Sequence, residues 1–222
     1  MKNIIQKNTF NLLITIGLCL LMGCNLKLQE PFEFVPETPT LTTFKDQSAW
    51  DWVQKERTPD TAKIFASNKF DYLIEAVKLT GLEAEYSKAG GSRTFLLLNN
   101  TAFAGTGKIL QLITGSATGK LTPITDANKV RLTNLLKYHI IDAYVDQVIA
   151  VPIFGTQYEF NTLGTAPNSI MTVSRNERYS LTINSSANLP TTKRTFGVLR
   201  HNYIFGNGIG HIVDNYAGIA AF

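Results

Sequence analysis

Apolar residues recur along this chain with two different periods, helical in the first half and strand-like in the second. Ser48-Ala49-Trp50-Asp51 opens the first helical stretch, since a hydroxyl followed three residues on by a carboxylate satisfies the free amides of a helix start. Trp50 and Val53 then face inward, and Thr58-Pro59 ends the element, because proline disfavours helical geometry in the residue before it. Phe70, Leu73, Ile74 and Val77 stand at i, i+3, i+4 and i+7, which predicts a second helix with one apolar stripe; Gly81 supplies its left-handed stop. Leu82 to Tyr86 reads as a further short helical turn. Thr94 to Leu98 is a continuous run of strand length, the pattern of a strand buried on both faces. It enters Asn99-Asn100-Thr101, a polar turn placed to cap a helix from Ala102 onward. After a loop of glycine, serine and threonine, Gly115 to Lys120, Thr125 caps a helix that turns Val130, Leu132, Leu135 and Leu136 inward. Beyond Tyr138 the pattern is of short strands: Val145 to Val151, Thr156 to Phe160, Ser169 to Ser174, Tyr179 to Asn184, Thr195 to Leu199 and His211 to Val213. Helices first and hairpin-like strands later predict an α+β domain.

A separate apolar run lies at the N-terminus. Lys2 and Lys7 lead into Phe10 to Met22, interrupted only by Asn11, Thr15 and Gly17. The run is shorter than the about 20 residues a spanning helix needs, and its charge-then-apolar order is that of a secretory signal. It closes on Leu21-Met22-Gly23-Cys24, which resembles the lipobox of bacterial lipoproteins. That resemblance implies lipid transfer to the Cys24 thiol, cleavage after Gly23 and acylation (a palmitate-type modification) of the new amino terminus. A plain signal that happens to contain cysteine, or an uncleaved anchor, is the competing reading. With Cys19 removed and Cys24 lipidated, no thiol is left for a disulfide, a zinc site or a nucleophile. Lys2 and Lys7 also supply two of the formal charges in the net +4, and no Lys/Arg block argues for nucleic acid. The expected organisation is a signal peptide at 1–23, a lipidated N-terminus and tether at 24–43, and one domain at 44–222. Pro31, Pro36 and Pro39 favour an extended tether at about 3.1 Å per residue; Phe32, Phe34 and Val35 leave open an arm packed on the domain. Asn25 is not the aspartate that holds many enterobacterial lipoproteins at the inner membrane, so an outer-membrane location is expected, on the cell surface or the periplasmic face.

Three stretches, in order, resemble the fasciclin-like domain family. Thr94-Phe95-Leu96-Leu97-Leu98-Asn99-Asn100-Thr101-Ala102-Phe103 resembles its first box, a buried strand followed by a polar turn and Ala-Phe. Leu135-Leu136-Lys137-Tyr138-His139-Ile140-Ile141 is similar to its Leu-x-Tyr-His motif, which closes a long helix and enters a strand. Asn207-Gly208-Ile209-Gly210-His211-Ile212-Val213-Asp214 is similar to the second box. The resemblance covers roughly Leu41 to Phe222 and implies N-terminal helices packed against a wedge of short, mostly C-terminal strands. It treats Asn99, Asn100, Phe103, Tyr138, His139, Gly208, His211 and Asp214 as structural. Some animal relatives are thought to contact integrins near Tyr-His, which makes Tyr138 and His139 the possible ligand contacts. Two departures stand out. Leu97-Leu98 replace an Ala-Pro pair, and Gly210 replaces an aliphatic residue, leaving a position with no side chain to pack.

Catalytic signals are weak. There is no Gly-x-Ser-x-Gly elbow or His-Glu-x-x-His, and Glu83/Glu85 read as a solvated turn. Gly115 to Lys120 resembles a phosphate loop but has one residue too few, with Leu121 where a hydroxyl must reach magnesium. His139, His201 and His211 could in principle hold zinc, against which stands the structural role implied by the resemblance. Tyr158, Phe160, Tyr203, Phe205 and Tyr216 could form a sugar-stacking face or fill the core. The expectation is a non-enzymatic module for cell adhesion or for protein or glycan interaction, with no cofactor and no metal. The alternative is an accessory binding lipoprotein of an outer-membrane glycan-uptake system.

Overall fold

A computed structural model describes residues 42–218, apart from 63, 91, 167, 168, 191 and 192. The signal, Cys24 and the tether as far as residue 41 lie outside the described residues. The described chain forms six helices: α1 (Ala49–Lys55), α2 (Asp71–Thr80), α3 (Glu83–Ser87), α4 (Asn100–Phe103), α5 (Ile109–Thr114) and α6 (Asp126–Tyr138). Strands are β1 (Thr43–Phe44), β2 (Arg93–Leu98), β3 (Ile140–Ile141), β4 (Tyr158–Asn161), β5 (Ile170–Arg175), β6 (Leu181–Ile183), β7 (Phe196–Gly197), β8 (Arg200–Phe205) and β9 (Gly208–Val213). They make two sheets, ordered β1-β8-β9-β2-β3 and β4-β5-β6-β7. The fold is α+β, with the wedge of short strands that the family resemblance implies.

Caps set most helix boundaries. The Ser48 and Asp51 side chains form the reciprocal capping box of α1. Gly81, at φ 67°, stops α2, and the Thr125 hydroxyl accepts from the Asn128 amide to start α6. The helix expected from Ala102 onward begins at Asn100 and is two short helices, α4 and α5, parted by Gly105 and Gly107 at positive φ. Val130 faces solvent, 60% exposed, while Leu132, Leu135 and Leu136 are buried as expected.

Parallel β2 and β9 form the centre of the first sheet, in register from Arg93↔Gly208 to Leu98↔Val213, and all twelve of their residues are buried. A Cβ on Gly208 would lie 2.2 Å from the Arg93 carbonyl oxygen, so this register needs glycine there. Gly210 is explained by its neighbour. A Cβ there would meet the Phe205 ring at 2.7 Å, so an aromatic from β8 fills the space left by the missing side chain. Trp52 of α1 gathers Phe44, Phe70, Tyr203 and Phe205 at ring-centre separations of 5.2–5.7 Å, joining the N-terminal helices to β1 and β8. Tyr203 and Phe205 therefore serve this cluster. Tyr158 and Phe160 lie on the other sheet, and the five aromatics do not make one face.

The segment Val145 to Val151 is not a strand. Asp146 turns its carboxylate back on the chain and accepts from the amides of Val148, Ile149 and Ala150. Those bonds give the backbone a local alternative to a sheet ladder. Val145 and Val151 are buried at its two ends, and Val148 and Ile149 between them are exposed.

Candidate functional site

The polar residues of the first box sit inside the fold. The Asn99 side chain accepts from the Ala102 amide and caps α4. Asn100 accepts from the Tyr72 amide and donates to the Ala66 carbonyl and the Asp71 carboxylate, at 2.8–3.1 Å. Asp71 also takes the Thr58 amide and, at 2.6 Å, its hydroxyl. This buried Thr58–Asp71–Asn100 chain ties the start of α2 to α4. Its first two members carry no local sequence signal, because their partners lie 13 and 29 residues away in the chain. Phe103 is buried and stacks on Tyr72.

The Tyr-His pair closes α6 against the second sheet. Tyr138 donates to the Ile170 carbonyl at 2.9 Å and accepts from the Asn184 side-chain amide at 3.0 Å, and burial pushes its hydroxyl up to about 12. His139 donates from Nδ1 to the Leu135 carbonyl at 2.7 Å and accepts at Nε2 from the Ala217 amide at 2.8 Å. His211 donates from Nε2 to the Val145 carbonyl and accepts at Nδ1 from the Asn202 amide. Burial holds both imidazoles down at about 4 against an ordinary 6.5. Every ring nitrogen of the pair is thus occupied by backbone. The side chains of Tyr138 and His139 are both 0% exposed, so in this fold neither offers a ligand a contact surface. His201 lies edge-on to His211 at 5.9 Å and accepts from the Leu181 amide. Among the described residues no group of three or more His, Cys, Asp or Glu is placed to hold a metal.

Asp214 is half-buried, and its backbone carbonyl accepts from Lys108. Asn207, which opens the second box, accepts from the Ala49 amide and donates to the Tyr86 carbonyl, locking the β8–β9 turn to α1 and α3. Glu85 is not merely solvated: it pairs with Arg93 at 2.8 Å.

What the fold does present outward is the loop from Asp146 to Gly155. Val148, Ile149, Ile153 and Phe154 are 51–82% exposed. Their backbone is held firmly. Besides the Asp146 turn, Arg175 donates to the Val151 and Pro152 carbonyls, the Ile153 amide donates to the Tyr158 hydroxyl, and the Gly155 amide donates to the Arg175 carbonyl. The Arg175 guanidinium lies 4.7 Å from the centre of the Tyr179 ring, itself 48% exposed. Large apolar side chains held outward by their own backbone bonds are uncommon on a folded surface and make this loop the candidate site. Beside them a cleft of about 580 Å³ is lined by Phe154, Ser174, Asn176, Arg178 and Ser185. The sequence pattern could not reveal this ridge, because a short run rich in valine and isoleucine reads as a strand.

The family profile for the fasciclin domain matches residues 68–217. Among solved structures the chain is similar to a FAS1 domain pair from the insect cell adhesion molecule fasciclin I. There the TM-score is 0.51 at 10% identity, over 77% of this chain and 50% of that one. The chain thus spans about half the length of that pair. No curated protein matches it.

Proposed function

This chain belongs to the fasciclin domain family, and from that premise we propose that it is a non-enzymatic adhesion or interaction module, displayed outside the cytoplasm by lipid on Cys24. The ridge of Val148, Ile149, Ile153 and Phe154 carries this reading. Binding buries apolar area most effectively when the surface is already ordered, since no loop entropy is then lost on contact. Aromatic and Arg side chains such as Phe154, Tyr179 and Arg175 are also the types enriched where binding energy concentrates. The partner is a protein that buries this ridge. Among the described residues no helix is long and apolar enough to cross a membrane, and the lipobox-like Leu21-Met22-Gly23-Cys24 supports lipid as the anchor, with the outer membrane as its site.

A photo-crosslinker placed at Ile153 in cells should capture a discrete protein partner, and Ile149→Asp with Phe154→Ala should abolish the capture. Capture that is unchanged in the double variant refutes the surface. Metabolic labelling with an alkyne-tagged palmitate should tag the chain and Cys24→Ala should abolish the tag; a tag that persists in the variant, or no tag on the unaltered chain, would refute lipid anchoring. Protease added to intact cells separates surface from periplasmic display.

The cleft beside the ridge favours a second reading, an accessory binding lipoprotein of a glycan-uptake system. Phe154 offers a flat apolar ring next to the hydroxyl and amide groups of Ser174, Ser185 and Asn176. A glycan array giving no binding above background would remove it.

A further inference from the structure

A second cleft, of about 590 Å³, opens between the loop before α2 and the loop after α5. Its volume is that of small-molecule sites, roughly 300–1,000 Å³. Ile64 and Phe65 line one rim, and Gly119 and Lys120 line the other, with Tyr72 and Ala104 between. Both rims are pinned from behind. The Tyr72 hydroxyl donates to the Gly119 carbonyl at 2.9 Å and holds the second loop. The first is held by Asn100 donating to the Ala66 carbonyl, by the Ala66 amide on the Thr58 hydroxyl and by the Thr101 amide on the Ser67 carbonyl. Phe65 stands edge-on to Tyr72 at 5.0 Å, and Tyr72 stacks on Phe103 at 5.7 Å, so the aromatic lining is fixed to the core. Even so, Ile64 remains 82% and Phe65 45% exposed.

The charge is one-sided. Lys120 is the single charged side chain among the described residues lining the cleft, and it makes no ion pair with any described residue. Asp71 and Glu75, the carboxylates whose charge bears on Tyr72, do not line it. Asp71 is hydrogen-bonded by Thr58 and Asn100, and Glu75 accepts from Thr122. An apolar, preformed cleft whose rim carries an ammonium paired with no described residue selects a molecule of matching polarity.

We propose that this cleft binds an amphiphilic carboxylate, its hydrocarbon against Phe65, Tyr72 and Ala104 and its anionic head at Lys120. The site is separate from the ridge of the interaction reading and stands or falls without it. A diazirine-bearing decanoate, applied to membranes carrying the full-length chain, tests it. After illumination, peptide mass spectrometry should find the label on segments containing Phe65, Tyr72 or Thr118 to Lys120, and unlabelled decanoate should compete it away. Lys120→Gln, a change at an exposed residue, should lower that labelling by about fivefold, as expected for one solvent-facing charge contact. The corresponding neutral amide probe should label the unaltered chain as weakly. Label found elsewhere, no competable label, or labelling by the amide or of Lys120→Gln as strong as decanoate labelling of the unaltered chain would each overturn the proposal.

Discussion

Acid should unfold this domain through two histidines. His139 and His211 are wholly buried, their ring nitrogens are committed to backbone partners, and both are held at about 4. In the unfolded chain each binds a proton near 6.5. Above 6.5 both states hold neutral imidazoles and the histidines add no pH dependence. As pH falls from 6.5 toward 4, the unfolded chain takes up protons that the fold excludes, so stability is lost across that window and the loss saturates below it. Linkage gives about 2 kcal/mol per histidine at pH 5, or about 4 kcal/mol for the pair. That is a large share of the roughly 5–15 kcal/mol by which domains are stable. Urea unfolding at pH 7 and pH 5 should show the midpoint falling by about 2 M, for a slope near 2 kcal/mol/M. His201, shifted down by partial burial, acts in the same direction. Asp51, held below its ordinary 3.8 by Ser48, loses its contribution only below this window. His139→Gln lowers stability at every pH but removes one titration, so its pH-dependent loss should be about half. A loss between pH 7 and pH 5 that is unchanged in His139→Gln and in His211→Gln would refute the reasoning.

Gly208→Ala should cost about 3 kcal/mol or more, because a Cβ at 2.2 Å from the Arg93 carbonyl forces the central strand pair apart at a φ of 152°; thermal unfolding by circular dichroism measures it. Tyr138→Phe should cost about 1–2 kcal/mol, since Asn184 and the Ile170 carbonyl lose a buried partner. Denaturant midpoints check that, and an effect below about 0.5 kcal/mol would contradict the role assigned to the hydroxyl. Arg175→Ala should leave global stability nearly intact while amides 148–155 exchange faster, because the clasp on Val151 and Pro152 is gone. Hydrogen exchange read by mass spectrometry distinguishes this from global unfolding, which would accelerate β2 and β9 as well.

Local signals determined much of this protein from the chain alone. The capping box at Ser48, the stripe Phe70–Leu73–Ile74–Val77, the stop at Gly81 and the Thr125 cap depend on residues within one or two turns, and each stands where the pattern put it. The three boxes led to the right family for the same reason: their residues are contiguous. Tertiary structure decided what depended on distant partners. Asp71 and Thr58 became core polar groups only when Asn100 arrived beside them. Gly210 became a packed position only when Phe205 crossed over from β8. Val145 to Val151 had the β-branched composition of a strand, but Asp146 and Arg175 took up its backbone groups and left Val148 and Ile149 facing out. Periodicity records which residues can share a face. Whether that face meets a core, a partner or water depends on which distant groups claim the backbone behind it, and only the folded chain brings those groups within hydrogen-bonding reach.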